Sequence, residues 1–324
     1  MRVRHVLHAL VLVAGTLAFA FLLYRLGWDG VHRVIIGTGA WFAVMAAIDV
    51  VSVMCDAGGV HSFARLHSPN LGYWRVFAAQ ASGLAINRLT PGNSLGEPIK
   101  ITMLMEHVPE SVAISAIVSF NLATILVAIS VIVVGVPLTL LVSDLPPRVE
   151  LVVWIATAIL IAFAIALTLL IRRGAVGTLI DAAARLRLLG SARATRWRAR
   201  IADIDRNVRQ LGTNRRAFAF VIGSRILNWA GTVVLLHSLA LHLTAQLVIG
   251  VLTVGLLVTW ASNVIPLGLG LADGGNYALY GMLGAPPAVG LEFAMINRVR
   301  TCVLALIGLS VMAIANLAAR RASE

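Results

Sequence analysis

The chain has 324 residues, 59% of them apolar and only 12% charged, and its mean hydropathy is +0.91. A water-soluble domain carries roughly 25% charged residues, so no large part of this chain reads as one. The formal charge of +12 sits mostly in one loop, which favours an anionic membrane surface over nucleic acid as partner.

Long uncharged Ala/Leu/Val/Ile runs mark spanning helices. A backbone in lipid must satisfy its own hydrogen bonds, which leaves helices or a closed barrel. The runs lack the short alternation of barrel strands, so the expected fold is an all-α, polytopic transmembrane bundle forming a single domain over 1–324. The first run, about 6–26, follows Arg2 and Arg4 and continues past Ala18-Phe19-Ala20 into Phe21-Leu22-Leu23. It is read as a retained span and not as a cleaved signal peptide. Further spans are expected at about 35–57, 112–141, 149–171, 217–241 and 287–318. Two other regions, about 75–107 and 245–285, are apolar but interrupted by Pro and Gly. Each is too long for one span, and its pieces are mostly too short to cross alone.

Charge orients the spans. In the loop 172–216 twelve Arg against three Asp leaves +9, so the positive-inside rule makes it cytoplasmic. Counting crossings from there puts both termini inside, gives 75–107 both ends inside, and gives 245–285 both ends outside. Both broken regions then read as re-entrant hairpins entering from opposite faces. The unit span–hairpin–span occurs twice with inverted orientation, at about 35–141 and 217–318, an architecture common among secondary transporters. Within the basic loop, Trp197, Ile201, Ile204, Val208 and Leu211 share one helix face. With an earlier segment around 177–189 they suggest amphipathic helices on the membrane surface.

The two breaks echo one another. The first runs Asn87-Arg88-Leu89-Thr90-Pro91-Gly92-Asn93-Ser94-Leu95-Gly96-Glu97-Pro98-Ile99-Lys100; the second runs Ser262-Asn263-Val264-Ile265-Pro266-Leu267-Gly268-Leu269-Gly270-Leu271-Ala272-Asp273. Pro ends the incoming half-helix and Gly permits torsions other residues resist. The outgoing half-helix starts with unpaired N–H groups and a positive dipole end, suited to a phosphate. A charge at the bilayer centre costs about 2.5–3.5 kcal/mol, so Glu97 and Asp273 ask for a reason. Ser94-Leu95-Gly96-Glu97 fits a capping box, and Asp273 can cap the helix after it. Otherwise they bind a coupling cation or cationic headgroup, or pair with a base. Arg88, Lys100, Arg225, Arg298 and Arg300 are available for that. Asp49 and Asp56, seven apart, share a helix face and line the path or pair with Arg225. Asn121, Asn228, His237 and Asn297 suit interhelical hydrogen bonds. Cys55 and Cys302 fall in apolar runs and imply neither a disulfide framework nor a metal site. No cofactor is expected, and the eight scattered His make no recognisable catalytic or metal motif.

Pro91, Gly92, Gly96, Glu97 and Lys100, followed by Pro266, Gly268, Gly270, Asp273 and Arg298, resemble the signatures of the lysylphosphatidylglycerol synthase transmembrane-region family, also called flippase-like. The resemblance covers most of the chain. It implies movement of a polar-headgroup lipid between leaflets, by analogy with relatives linked to aminoacylated phosphatidylglycerol, polyprenyl-linked sugars and hopanoids. Three positions depart from the pattern: Lys100 is usually Arg, Asp273 is usually Glu, and Phe120-Asn121-Leu122 stands where the family often has an acid–Arg pair. The soluble aminoacyl-transferase domain of the full synthase does not follow before Glu324, so lysine transfer by this chain alone is not expected. The expected function is a lipid flippase of the bacterial cytoplasmic membrane, with anionic phospholipid or a lipid-linked substrate as partner, no nucleic acid, and room for an oligomer. Its substrate site would comprise Asn87, Arg88, Pro91, Gly92, Ser94, Gly96, Glu97 and Lys100 with Asn263, Pro266, Gly268, Gly270, Asp273 and Arg298. The rival readings are a membrane-embedded lipid-modifying enzyme and an ion or small-solute transporter.

Overall fold

A computed structural model of the protein describes residues 28–90, 95–143, 146–173, 214–239, 241–262 and 270–321, with five isolated positions between 13 and 24. The described residues are all-helical and contain no strand. In chain order the helices are α1 (Trp28–Thr38), α2 (Ala40–Ala64), α3 (Tyr73–Leu89), α4 (Gly96–Leu104), α5 (Glu110–Val142), α6 (Pro147–Arg173), α7 (Arg215–Ser238), α8 (Ala245–Ser262), α9 (Leu271–Met282) and α10 (Pro287–Arg321). Five of them, α2, α5, α6, α7 and α10, are long and apolar enough to cross a membrane. The fold class expected from the sequence is therefore the one observed. The expected first span and the amphipathic segments of the basic loop lie almost wholly outside the described residues.

One boundary moves. The span expected at 35–57 runs over Ala40–Ala64, and α1 is a separate helix before it. Gly39, at φ 54°, makes the break, a left-handed torsion that costs little without a Cβ. The helix continues beyond residue 57 because its later polar groups find partners. Ser62 Oγ donates to the Gly58 carbonyl (2.7 Å), and His61 Nε2 lies 2.9 Å from the Leu71 carbonyl.

Between helices in lipid there is no hydrophobic drive to associate, so small residues, close packing and interhelical hydrogen bonds hold a bundle together. Helices α2 and α7 lie side by side over much of their length. Ser52 Oγ and Ser224 Oγ are 2.9 Å apart, Asn228 Nδ2 donates to Ser52 Oγ (2.6 Å), and Asn214 Nδ2 donates to the Ser62 carbonyl (2.9 Å). Asn214 also caps α7 by accepting the Ala217 N–H at 3.1 Å.

Two larger apolar cores form among the described residues, beside a smaller cluster of Met45, Leu235 and Ile296. The first packs α3 and α4 with Ala57 and Val60 of α2, Ile117 and Phe120 of α5, and Leu309 and Met312 of α10. The second packs α8 and α9 around Val251 and Tyr280 with Ile132 and Val136 of α5. Thus α3 lies along α10 and α8 lies along α5. One helix of each broken pair thus packs against a long helix from the other side of the basic loop in sequence.

Candidate functional site

Helix α3 ends at Leu89 and α4 begins at Gly96; α8 ends at Ser262 and α9 begins at Leu271. Of the expected site residues, Pro91, Gly92 and Ser94 in the first break, and Asn263, Pro266 and Gly268 in the second, lie outside the described residues. The others form two compact centres.

At the first, Glu97 takes three side-chain donors from three helices. Oε1 accepts Asn87 Nδ2 (2.9 Å) and Lys100 Nζ (2.8 Å), and Oε2 accepts Asn121 Nδ2 (2.8 Å). Asn87 also takes the Gly96 N–H on Oδ1 at 2.6 Å, so one side chain satisfies an orphan donor of α4 and orients the carboxylate. Leu95 stands at the N-cap of α4 and Glu97 is its second residue, one short of the position a capping box from Ser94 requires. Its described partners are all side chains.

Lys100 is 4% exposed, and room for it comes from glycine. A Cβ at Gly83 would stand 2.7 Å from Lys100 Cε and 2.8 Å from the Gly96 carbonyl. The half-helices α3 and α4 therefore approach backbone to backbone where the lysine passes. The Glu97 side chain keeps 26% exposure, so the centre is open on the carboxylate side.

The second centre is simpler. Arg298 Nη2 donates to both oxygens of Asp273, at 2.7 and 2.8 Å. Oδ2 of Asp273 also accepts the Gly270 N–H at 3.2 Å, with Gly270 at φ 81°. Asp273 thus does both things the sequence offered: it caps α9 and it pairs with a base. Its side chain is 30% exposed, while Nε of Arg298 is buried without a partner.

Two further ion pairs join helices of the bundle. Arg300 grips Asp49 with two nitrogens, Nη2 to Oδ1 at 2.7 Å and Nε to Oδ2 at 3.1 Å, and its Nη1 donates to Asn297 Oδ1 at 3.2 Å. Arg225 Nη2 reaches both oxygens of Asp56, at 2.9 and 3.1 Å, and Ser224 Oγ at 2.8 Å. The Asp56–Arg225 pair is the one the sequence suggested. The Asp49–Arg300 link is not, nor is the role of Asn121, whose side chain completes the Glu97 shell. The signal for both was present: a carboxylate or amide inside an apolar run needs a partner. Sequence alone does not say which of several bases supplies it.

No described hydrogen bond joins Glu97 to Asp273; each is held within its own half of the chain. Asn87 on α3 and Arg298 on α10, a partner of each, stand on helices that pack together. What the geometry defines is a multi-pass helical membrane protein with a charged, hydrogen-bonded interior and two accessible carboxylates at helix breaks.

The family model described as the lysylphosphatidylglycerol synthase TM region matches residues 6–308, and the chain belongs to that family. No curated protein and no solved structure shows a significant match to it.

Proposed function

We propose that the protein is a lipid flippase that carries a phospholipid or other polar-headgroup lipid between the leaflets of a bacterial cytoplasmic membrane. The observation that carries this reading is Glu97: an ionisable carboxylate held by three donors, yet about a quarter exposed, inside a largely apolar helical bundle. Burying such a group costs several kcal/mol, so intramembrane carboxylates of this kind mark transport pathways. Asp273 with Arg298 is its counterpart at the second break. In the working cycle Glu97 and Asp273 hold a cationic headgroup or coupling ion. Lys100 and Arg298, released from their carboxylates, then turn to the lipid phosphate, aided by the N-termini of α4 and α9.

The packing supports an inverted-repeat reading. Pairing α2 with α7, α3 with α8, α4 with α9 and α5 with α10 maps the α3–α10 contact onto α8–α5 and the α2–α10 contact onto α7–α5. Alternating access then rocks one repeat, with its re-entrant hairpin, against the other. Both termini and the basic loop 172–216 face the cytoplasm. The chain acts as a transporter and not as a lipid-modifying enzyme.

The test is purified protein in liposomes carrying fluorescent phosphatidylglycerol, with dithionite reading which leaflet holds the label. Wild type should speed the exchange, and Glu97→Gln should abolish it. Exchange at the wild-type rate by that variant would remove Glu97 from the mechanism. Chemical conversion of the lipid without movement would favour an enzyme.

A further inference from the structure

The two halves of the chain keep one register. A shift of 176 positions carries Asn87 onto Asn263, Glu97 onto Asp273 and Asn121 onto Asn297. The same shift carries Ala40, Gly96 and Glu110, the first residues of α2, α4 and α5, onto Arg216, Ala272 and Pro286. Each of these is adjacent to the first residue of α7, α9 or α10. Ser52 and Asn228 are also such a pair, and they meet at 2.6 Å, as equivalent residues do beside a two-fold axis. The bases do not correspond: Lys100 falls on Asn276, and Arg298 on Leu122. What the two breaks share is an acid with two amides.

The shared groups are used differently. In the first half both amides donate to the acid, Asn87 at 2.9 Å and Asn121 at 2.8 Å. In the second half Asn297 does not reach Asp273. Its Oδ1 accepts Arg300 Nη1 at 3.2 Å, and its Nδ2 donates to no described residue. Asp273 is held instead by Arg298, the next residue along α10, through Nη2 alone, while Nε of Arg298 has no partner. Arg300, by contrast, grips Asp49 with two nitrogens. Arg298 therefore makes less than the full fork that an arginine can offer a carboxylate, and a spare amide donor stands one residue away.

We infer that Asn297 is a positioning residue of the second centre: when Arg298 leaves Asp273 for a lipid phosphate, the Asn297 amide takes the carboxylate, as Asn121 takes Glu97 in the first half. This deepens the flippase reading, rests on it for the lipid, and adds how the base is released. A carboxylate stripped of its base at that break is costly, and a replacement donor removes much of the cost. Helices α9 and α10 pack directly, so a shift between them exchanges the donors.

The experiment is equilibrium binding, in detergent, of the full-length protein to dihexanoyl-phosphatidylglycerol, read by microscale thermophoresis as a double-mutant cycle. Asn297→Leu should weaken binding at least about tenfold, the loss of one charge-assisted hydrogen bond. Asp273→Asn frees Arg298 outright and should bind at least as tightly as wild type. On that background Asn297→Leu should change the affinity by less than about twofold. An equal loss on both backgrounds overturns the inference, because Asn297 then acts through Arg300 and not through Asp273. Wild-type affinity in folded Asn297→Leu overturns it as well, and so does a wild type that does not bind the lipid. Asn297→Ala takes the place of the leucine variant should that one fail to fold. Coupled binding in a protein that moves no lipid in liposomes keeps this inference and loses the flippase reading. Lipid movement with no coupling between Asn297 and Asp273 does the reverse.

Discussion

Asp49 and Arg300 stand 251 positions apart in the chain and meet through two hydrogen bonds. Both are nearly inaccessible, with side-chain exposures of 6% and 9%. A buried pair of this kind adds little relative to apolar residues of the same shape, but removing one member strands the other. Asp49→Asn should therefore lower stability by about 3–5 kcal/mol, read as a drop in melting temperature in detergent. The double change Asp49→Leu with Arg300→Met should recover most of the loss; if it melts as low as the single variant, the pair's geometry matters beyond its charge. That Asp49 and Asp56 needed partners was legible in the sequence, because an acid in an apolar run is costly. Which arginine serves which acid was not, since Arg225, Arg298 and Arg300 are chemically equivalent choices. Asn121 was similarly opaque: an amide in a span reads as generic interhelical glue until Glu97 is found opposite it.

Among the helices, the breaks were the most legible feature, because Pro and Gly act on the backbone locally and need no tertiary context. The end of α2 was not, because its extension to Ala64 depends on Leu71 and on the packing of Phe63 and Ala64 in the first core. The tight approach of α3 and α4 also belongs to the fold alone. Gly83 reads in sequence as an indifferent helix glycine, yet any Cβ there would overlap Lys100 and the Gly96 backbone. Gly83→Ala should cost about 1–3 kcal/mol through overpacking and should impair lipid exchange with it. Gly223→Ala is the control of opposite sign: nothing lies within 4 Å of its Cβ position, so helix propensity alone should make it neutral or stabilising by up to about 1 kcal/mol. Equal melting temperatures for the two variants would mean the hairpin is looser than its geometry indicates.

For the whole molecule, the proposed inverted arrangement makes a prediction about sidedness. On a background lacking Cys55 and Cys302, single cysteines at His67 and His107 flank the first hairpin, and at His242 and Pro286 they flank the second. In intact cells a membrane-impermeant maleimide should label the second pair and not the first. Labelling of one member of either pair alone would mean that its hairpin crosses the membrane. Composition and hydropathy by themselves determined that this is a helical membrane protein, where its chain leaves the helix, and which residues carry charge into the apolar region. Those properties are local, set by side-chain transfer free energies and backbone torsions. Only the tertiary structure decided how the charges are shared: Lys100 with Glu97, Arg298 with Asp273, Arg300 with Asp49, Arg225 with Asp56, and Arg88 with none among the described residues. Lys100 and Glu97 are three residues apart on α4, but the other pairings depend on distances of about 3 Å between residues on different helices, and such distances come from how α2, α7, α9 and α10 pack, which no single segment encodes.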